Sequence, residues 1–124
     1  MPESSTSARI VVTTAANSEE ATRLGRTLVE ERLVACATLV PAIESIYRWK
    51  GSVESSVESM LLLKTNAMQL KALEARLQEL HSYETPEFLV LPVEAGSRGY
   101  LEWMNQCLGH DLSPATAIRI DKTE

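Results

Sequence analysis

Chemistry in this chain has few carriers: two cysteines and two histidines among 124 residues. Cys36 sits in the apolar run Leu33-Val34-Ala35-Cys36-Ala37. There it would serve as a soft ligand or a thiolate nucleophile, or pack as one more small buried residue. No cationic neighbour that would favour the thiolate is evident locally. Cys107 and His110 are three apart, a ligand-like spacing, but Gly109 falls between them as a helix stop. His81 opens His81-Ser82-Tyr83-Glu84-Thr85-Pro86-Glu87, a run dense in donors and acceptors. A cation at a helix C-terminus complements the dipole, so a cap explains it, while a loop between rigid elements equally suits a ligand. Glu84 and Glu87 flank Pro86, are not helix neighbours, and define no acid/base pair. Lys64 ends the apolar stretch Leu61-Leu62-Leu63 and is an anion-binding candidate, or else snorkels to the surface. No phosphate loop, nucleotide fingerprint, serine elbow or CxxC pair occurs, and nothing in the residues argues for an enzyme.

The elements that must position these residues follow from periodicity. Residues 1–7 are polar and serine-rich and read as a loose start. Ala8–Thr14 reads as a strand. Asn17 with Glu20 three residues on is a capping box, predicting a helix from Ser18 to Leu33 with Ala21, Leu24, Leu28 and Val29 on its apolar stripe. From Ala35 the β-branched and aromatic residues predict a long strand, and Pro41 requires an edge or a bulge within it. Lys50-Gly51 supplies a turn, and the return strand runs from Val53 to Thr65. The hairpin tip carries Tyr47 and Trp49 and projects beyond any core so small a chain can build. Leu70, Leu73, Leu77 and Leu80 predict a second helix over 67–81, Phe88–Val93 a fourth strand, and Ser97–Leu108 a third helix with Tyr100, Leu101, Met104 and Leu108 inward. Residues 109–124 read as a tail in which Ala117–Ile120 has the composition of a short strand.

Strand, helix, strand, strand, helix, strand and a closing helix make the α+β, ferredoxin-like split-βαβ pattern, βαββαβ plus a C-terminal helix. The stretches Ile10-Val11-Val12, Met60–Leu63 and Leu89-Val90-Leu91 do not alternate apolar with polar, so both sheet faces ask for cover while the helices lie on one. Other copies of the chain would supply the rest. A net charge of −5 disfavours a nucleic-acid partner, the apolar runs are too short for a membrane span, and no signal peptide opens the chain, which together predict a cytoplasmic protein.

Several blocks in order resemble the divalent-cation-tolerance, or CutA, family. They are Leu28–Pro41 (LVEERLVACATLVP), Ser45–Gly51 (SIYRWKG), Leu63-Lys64-Thr65, His81–Glu87 (HSYETPE), Leu91-Pro92-Val93 and Tyr100–Trp103, spanning about Arg9 to Leu108. The resemblance implies a domain over 8–108, a tight homotrimer similar in architecture to PII signalling proteins, and Tyr47 and Trp49 reaching a neighbouring copy. It implies a non-enzymatic role in the response to divalent metals. No cofactor is required, though copper or another divalent cation is a candidate ligand, with Cys36, Lys64 and Glu84 lining a cleft between copies and His81 binding metal. Copper in such relatives is assigned to a first-strand cysteine and a histidine pair after the second helix. The matching positions here are Thr13 and Leu80-His81, and Ser82 replaces the usual proline, so His81 alone keeps the ligand type. The alternative is a PII-like signalling trimer that docks a partner protein without a metal site.

Overall fold

The computed structural model describes residues 6–109. His110, the rest of the C-terminal tail with its expected strand at Ala117–Ile120, and residues 1–5 lie outside the described residues. The strands are β1 (Ala8–Ala15), β2 (Cys36–Trp49), β3 (Ser52–Asn66) and β4 (Leu89–Pro92), and the helices are α1 (Ser18–Glu30), α2 (Leu70–Leu80) and α3 (Arg98–Cys107). The four strands form one antiparallel sheet in the order β2-β3-β1-β4, the split-βαβ arrangement the sequence predicts.

The helices α1 and α2 cover one sheet face. Val11, Leu61 and Leu63 from the strands meet Leu24 and Leu28 of α1 and Leu73 and Leu77 of α2. The intervening residues, Ile10, Val12, Met60 and Leu62, therefore point to the opposite face, where they are only partly covered. Leu89 and Leu91 continue that face on the edge strand at 57% and 48% exposure. In one copy β4 is short, at the edge, and exposed throughout. A second small core, Ala8, Ala35, Met104 and Leu108, seats α3 at the Ala8 end of the sheet.

Hairpin arms of 14 and 15 residues confirm the overlong β2–β3 ribbon. Lys50 and Gly51 both have positive φ, 49° and 86°, the backbone of the tight hairpin turn. Pro41 lies on the edge strand β2, and the ladder slips by one residue between Val40 and Ile43, where Ala42 is left-handed at φ 57°. Beyond that bulge the tip stands clear of the core, with Trp49 59% exposed.

Four expectations need correction. α1 stops at Glu30 and not Leu33, because Arg32 turns left-handed at φ 62°. The Arg32 and Leu33 amides then close back on the Val29 and Leu28 carbonyls, a Schellman ending with arginine in glycine's usual place. α2 is preceded by a tighter turn over Ala67–Gln69 and ends at Leu80, with His81 extended beyond it. Tyr100 is not inward but nearly half exposed; the inward residues of α3 are Met104 and, partly, Leu101, with Leu108 at its end. Thr6 and Ser7, expected in the loose start, are tied down: Thr6 Oγ1 donates to the Val93 carbonyl at 2.6 Å, and the Ser7 carbonyl accepts from Ala67.

Candidate functional site

The sequence-predicted residues fall into two groups at opposite ends of the sheet. Lys64 is registered against Ile10, and Thr14, whose carbonyl meets His81, lies four residues further along β1, which at ~3.3 Å per residue is about 13 Å.

At the far end of β1 the N-terminus of α1 meets the loop after α2. The Asn17 side chain accepts from the Glu20 amide at 2.8 Å, so the capping residue is the expected one. The Glu20 carboxylate reaches back to the Ala16 amide at 3.2 Å, one residue beyond the N-cap amide that a capping box's reciprocal bond would take. It also accepts from the Ser82 amide at 2.9 Å and the Ser82 hydroxyl at 3.0 Å. Burial alone would raise its pKa; the bonds from Ser82 and Ala16, with His81 nearby, outweigh it and hold the carboxyl below its ordinary value.

His81 is buried, and both its ring nitrogens are engaged. Nε2 lies 2.7 Å from the Thr14 carbonyl, which can only accept, so Nε2 carries the proton. Nδ1 accepts from the Tyr83 amide at 3.0 Å. The Tyr83 hydroxyl donates to Glu58 on β3 at 2.6 Å. Burial, then the bond to Glu58, pushes the Tyr83 phenol well up. Glu87 is likewise pushed up, by burial first and then by the Glu58 charge. Glu84 is exposed, and its backbone carbonyl accepts from Gln78 at 2.7 Å. This end is a polar lock between elements. Its one imidazole would have to surrender a hydrogen bond before it could ligate anything.

The donor set of a copper site does not fit here. The Thr13 side chain is fully buried and its hydroxyl has no hydrogen-bond partner among the described residues, a setting with no thiolate. No cluster of three or more metal-ligating side chains exists among the described residues.

At the other end, Cys36 and Lys64 oppose one another across β2 and β3. Lys64 Nζ donates to Thr38 Oγ1 at 2.8 Å and stands 3.7 Å from Cys36 Sγ. Tyr100 of α3 interacts with the same thiol. The sequence set Lys64 and Cys36 in one cleft, did not join Tyr100 to them, and read Glu20 only as a cap. The capping-box pattern marked Glu20, but no local signal joined it to Ser82.

The chain was compared with known proteins on this footing. The family model described as CutA1 divalent ion tolerance protein matches residues 9–107. The chain belongs to that family. It is 41% identical over 100 residues to the divalent-cation tolerance protein CutA of Thermus thermophilus, covering 81% of this chain and 97% of that one. It is 42% identical over 99 residues to the Pectobacterium atrosepticum CutA, covering 80% and 90%. Against longer relatives the share is smaller: 52% of the chloroplastic CutA of Arabidopsis thaliana and 59% of the mouse protein. Among solved structures, CutA1 of Oryza sativa superposes with a TM-score of 0.83 at 34% identity, covering 88% of this chain and all of that one. The Thermus thermophilus protein gives 0.80 at 40% identity, covering 82% and 99%. The CutA match ends at 107, so the last 17 residues of the 124 lie outside it. Among the described residues no helix is long and apolar enough to cross a membrane.

Proposed function

We propose that this CutA chain works without enzymatic turnover as a cytoplasmic homotrimer in the response to divalent metal ions, holding a divalent cation or a small anionic ligand in clefts between copies. The carrying observation is the uncovered sheet face: Val12, Met60, Leu62, Leu89 and Leu91 form an apolar surface that, among the described residues, no helix covers beyond the α3 end. Apolar patches of this kind mark interaction surfaces. The hairpin tip, with Tyr47 and Trp49 exposed, has no support among the described residues and suits a neighbour's surface. Only a neighbouring copy would bring Cys36 and Lys64 near His81 and Glu84, which one chain keeps apart.

The engaged state of His81 favours a second reading, a PII-like trimer that docks a partner protein and has no metal site. Sedimentation of the native protein at micromolar concentration, followed by calorimetric titration with copper, zinc and nucleotides, separates the two. A trimer that binds copper or zinc, and loses binding on His81→Ala, supports the metal arm. A trimer that takes a nucleotide with Lys64 required supports the anion arm. A trimer inert to all of them leaves the docking reading, and a monomer overturns both.

A further inference from the structure

Among the described residues Lys64 is a cation without a carboxylate partner, in an acidic protein. Seventeen Asp and Glu side chains against twelve Lys and Arg make carboxylate partners plentiful, yet Lys64 takes part in none of the ion pairs among the described residues. Its ammonium is turned to a hydroxyl and a thiol instead, Thr38 Oγ1 at 2.8 Å and Cys36 Sγ at 3.7 Å. An ammonium has three N–H donors, so one is left for a ligand. The thiol has two further polar neighbours, Thr38 Oγ1 at 3.8 Å and Tyr100. Partial burial, then the proximity of Cys36, pushes that phenol up, so it keeps its proton and can donate. Cys36 is itself part-exposed, as is Lys64.

A part-exposed thiol with a cation beside it is placed to meet a small anionic disulfide. We propose that Cys36 forms a reversible mixed disulfide with a small carboxylate-bearing disulfide, and that Lys64 receives the ligand's carboxylate. The Cys36 proton passes to solvent. The thiolate attacks one sulfur of the incoming disulfide, the old S–S bond breaks, and the other half leaves as a thiolate that takes up a proton. A free thiol reverses the step by attacking the mixed disulfide. The electrons balance because the incoming disulfide is the oxidant. The function proposed above does not require this reaction, and the reaction does not require a trimer.

The test is site-resolved mass spectrometry on the native full chain. Iodoacetamide and iodoacetate, one neutral and one anionic, are followed at Cys36 and Cys107, and oxidised glutathione is then used as the disulfide. Cys36 should react roughly tenfold faster than Cys107, and oxidised glutathione should add one half-molecule at Cys36 that dithiothreitol removes. In Lys64→Met the rate with iodoacetate should fall more than the rate with iodoacetamide. Lys64→Arg, which keeps the charge, should retain that preference and guards against a folding defect. Tyr100→Phe should slow both reagents alike. A Cys36 that reacts only in denaturant, or a Lys64→Met protein with unchanged reagent preference, would overturn the proposal.

Discussion

The Glu20 carboxylate binds Ser82, 62 residues further along the chain, through both the Ser82 amide at 2.9 Å and its hydroxyl at 3.0 Å. One side chain therefore starts α1 and fixes the loop that leaves α2. Glu20→Ala would strand three donors, the amides of Ala16 and Ser82 and the Ser82 hydroxyl. Hydrogen bonds to a charged group contribute about 1.5–3 kcal/mol, so a loss of about that size is expected in urea unfolding at neutral pH. The folded pKa is depressed below 4.5, so the stabilisation is complete above that value and fades as pH falls through the lower folded value. The difference between wild type and Glu20→Ala should accordingly shrink only in that acid window. A difference that is flat down to pH 2 would remove Glu20 as its source.

The sequence carried the element order because each signal for it was local: a capping pair, a leucine stripe, a turn dipeptide. What escaped it was non-local or conformational. Counted without interruption from the Lys50-Gly51 turn, the ladder would set Cys36 opposite Thr65. The extra residue at the Pro41-Ala42 bulge moves the partner to Lys64. Pro41 announced a bulge or an edge, but not the size of the slip, and with it the whole environment of Cys36 changes. The end of α1 was hidden for another reason. The stripe continues past Glu30 to Leu33, and nothing in an arginine says it will adopt a left-handed backbone. The polar lock was equally illegible, since His81 was readable as a cap or a ligand until Thr14 and Tyr83 occupied its two nitrogens.

That occupation fixes the tautomer. Nitrogen-15 NMR of His81 should show a proton on Nε2, because Nε2 faces a carbonyl and Nδ1 accepts from an amide. His81→Ala should destabilise by more than the 0.3–1 kcal/mol of an exposed helix cap, about 1–3 kcal/mol, since the Tyr83 amide loses its acceptor in a part-buried site. A proton found on Nδ1, or a cost within the range of a simple cap, would count against the lock.

Glu87 gives the opposite pH signature to Glu20. Burial and the neighbouring Glu58 charge raise its pKa above 4.5, so the folded state holds that proton more tightly than the unfolded chain does. Its ionised form is therefore a burden that sets in as pH rises through the unfolded value and is complete above the folded one. Glu87→Gln should raise the melting temperature at pH 7, with the gain disappearing once the wild-type carboxyl is protonated. A melting temperature that drops at pH 7 would show that the Glu87 charge makes a favourable contact instead.

The bulge offers a backbone test. Ala42 holds φ 57°, and a Cβ in the left-handed region costs about 1–2 kcal/mol per residue, a penalty glycine avoids. Glycine also frees the unfolded chain, which returns about 0.4–1 kcal/mol of the gain. Ala42→Gly should thus stabilise by about 0.5–1 kcal/mol in chemical unfolding, with the hairpin register unchanged. A clear destabilisation would mean that the Ala42 methyl makes contacts in the assembled protein that one copy does not reveal.

Folding and assembly separate at Leu62. Leu62 is paired with Val12 and Thr38, on the sheet face opposite the helices, while its neighbours Leu61 and Leu63 are fully buried beneath α1 and α2. A charge at position 62 therefore leaves the chain's own core intact and falls on the surface proposed to meet other copies. An unpaired charge enclosed in an apolar interface is costly enough to dissolve it. Leu62→Glu should give a species with native far-ultraviolet circular dichroism that sediments as a monomer, whereas Leu61→Glu should fail to fold. A Leu62→Glu protein that still sediments at the wild-type size would place the contacts between copies on some other surface.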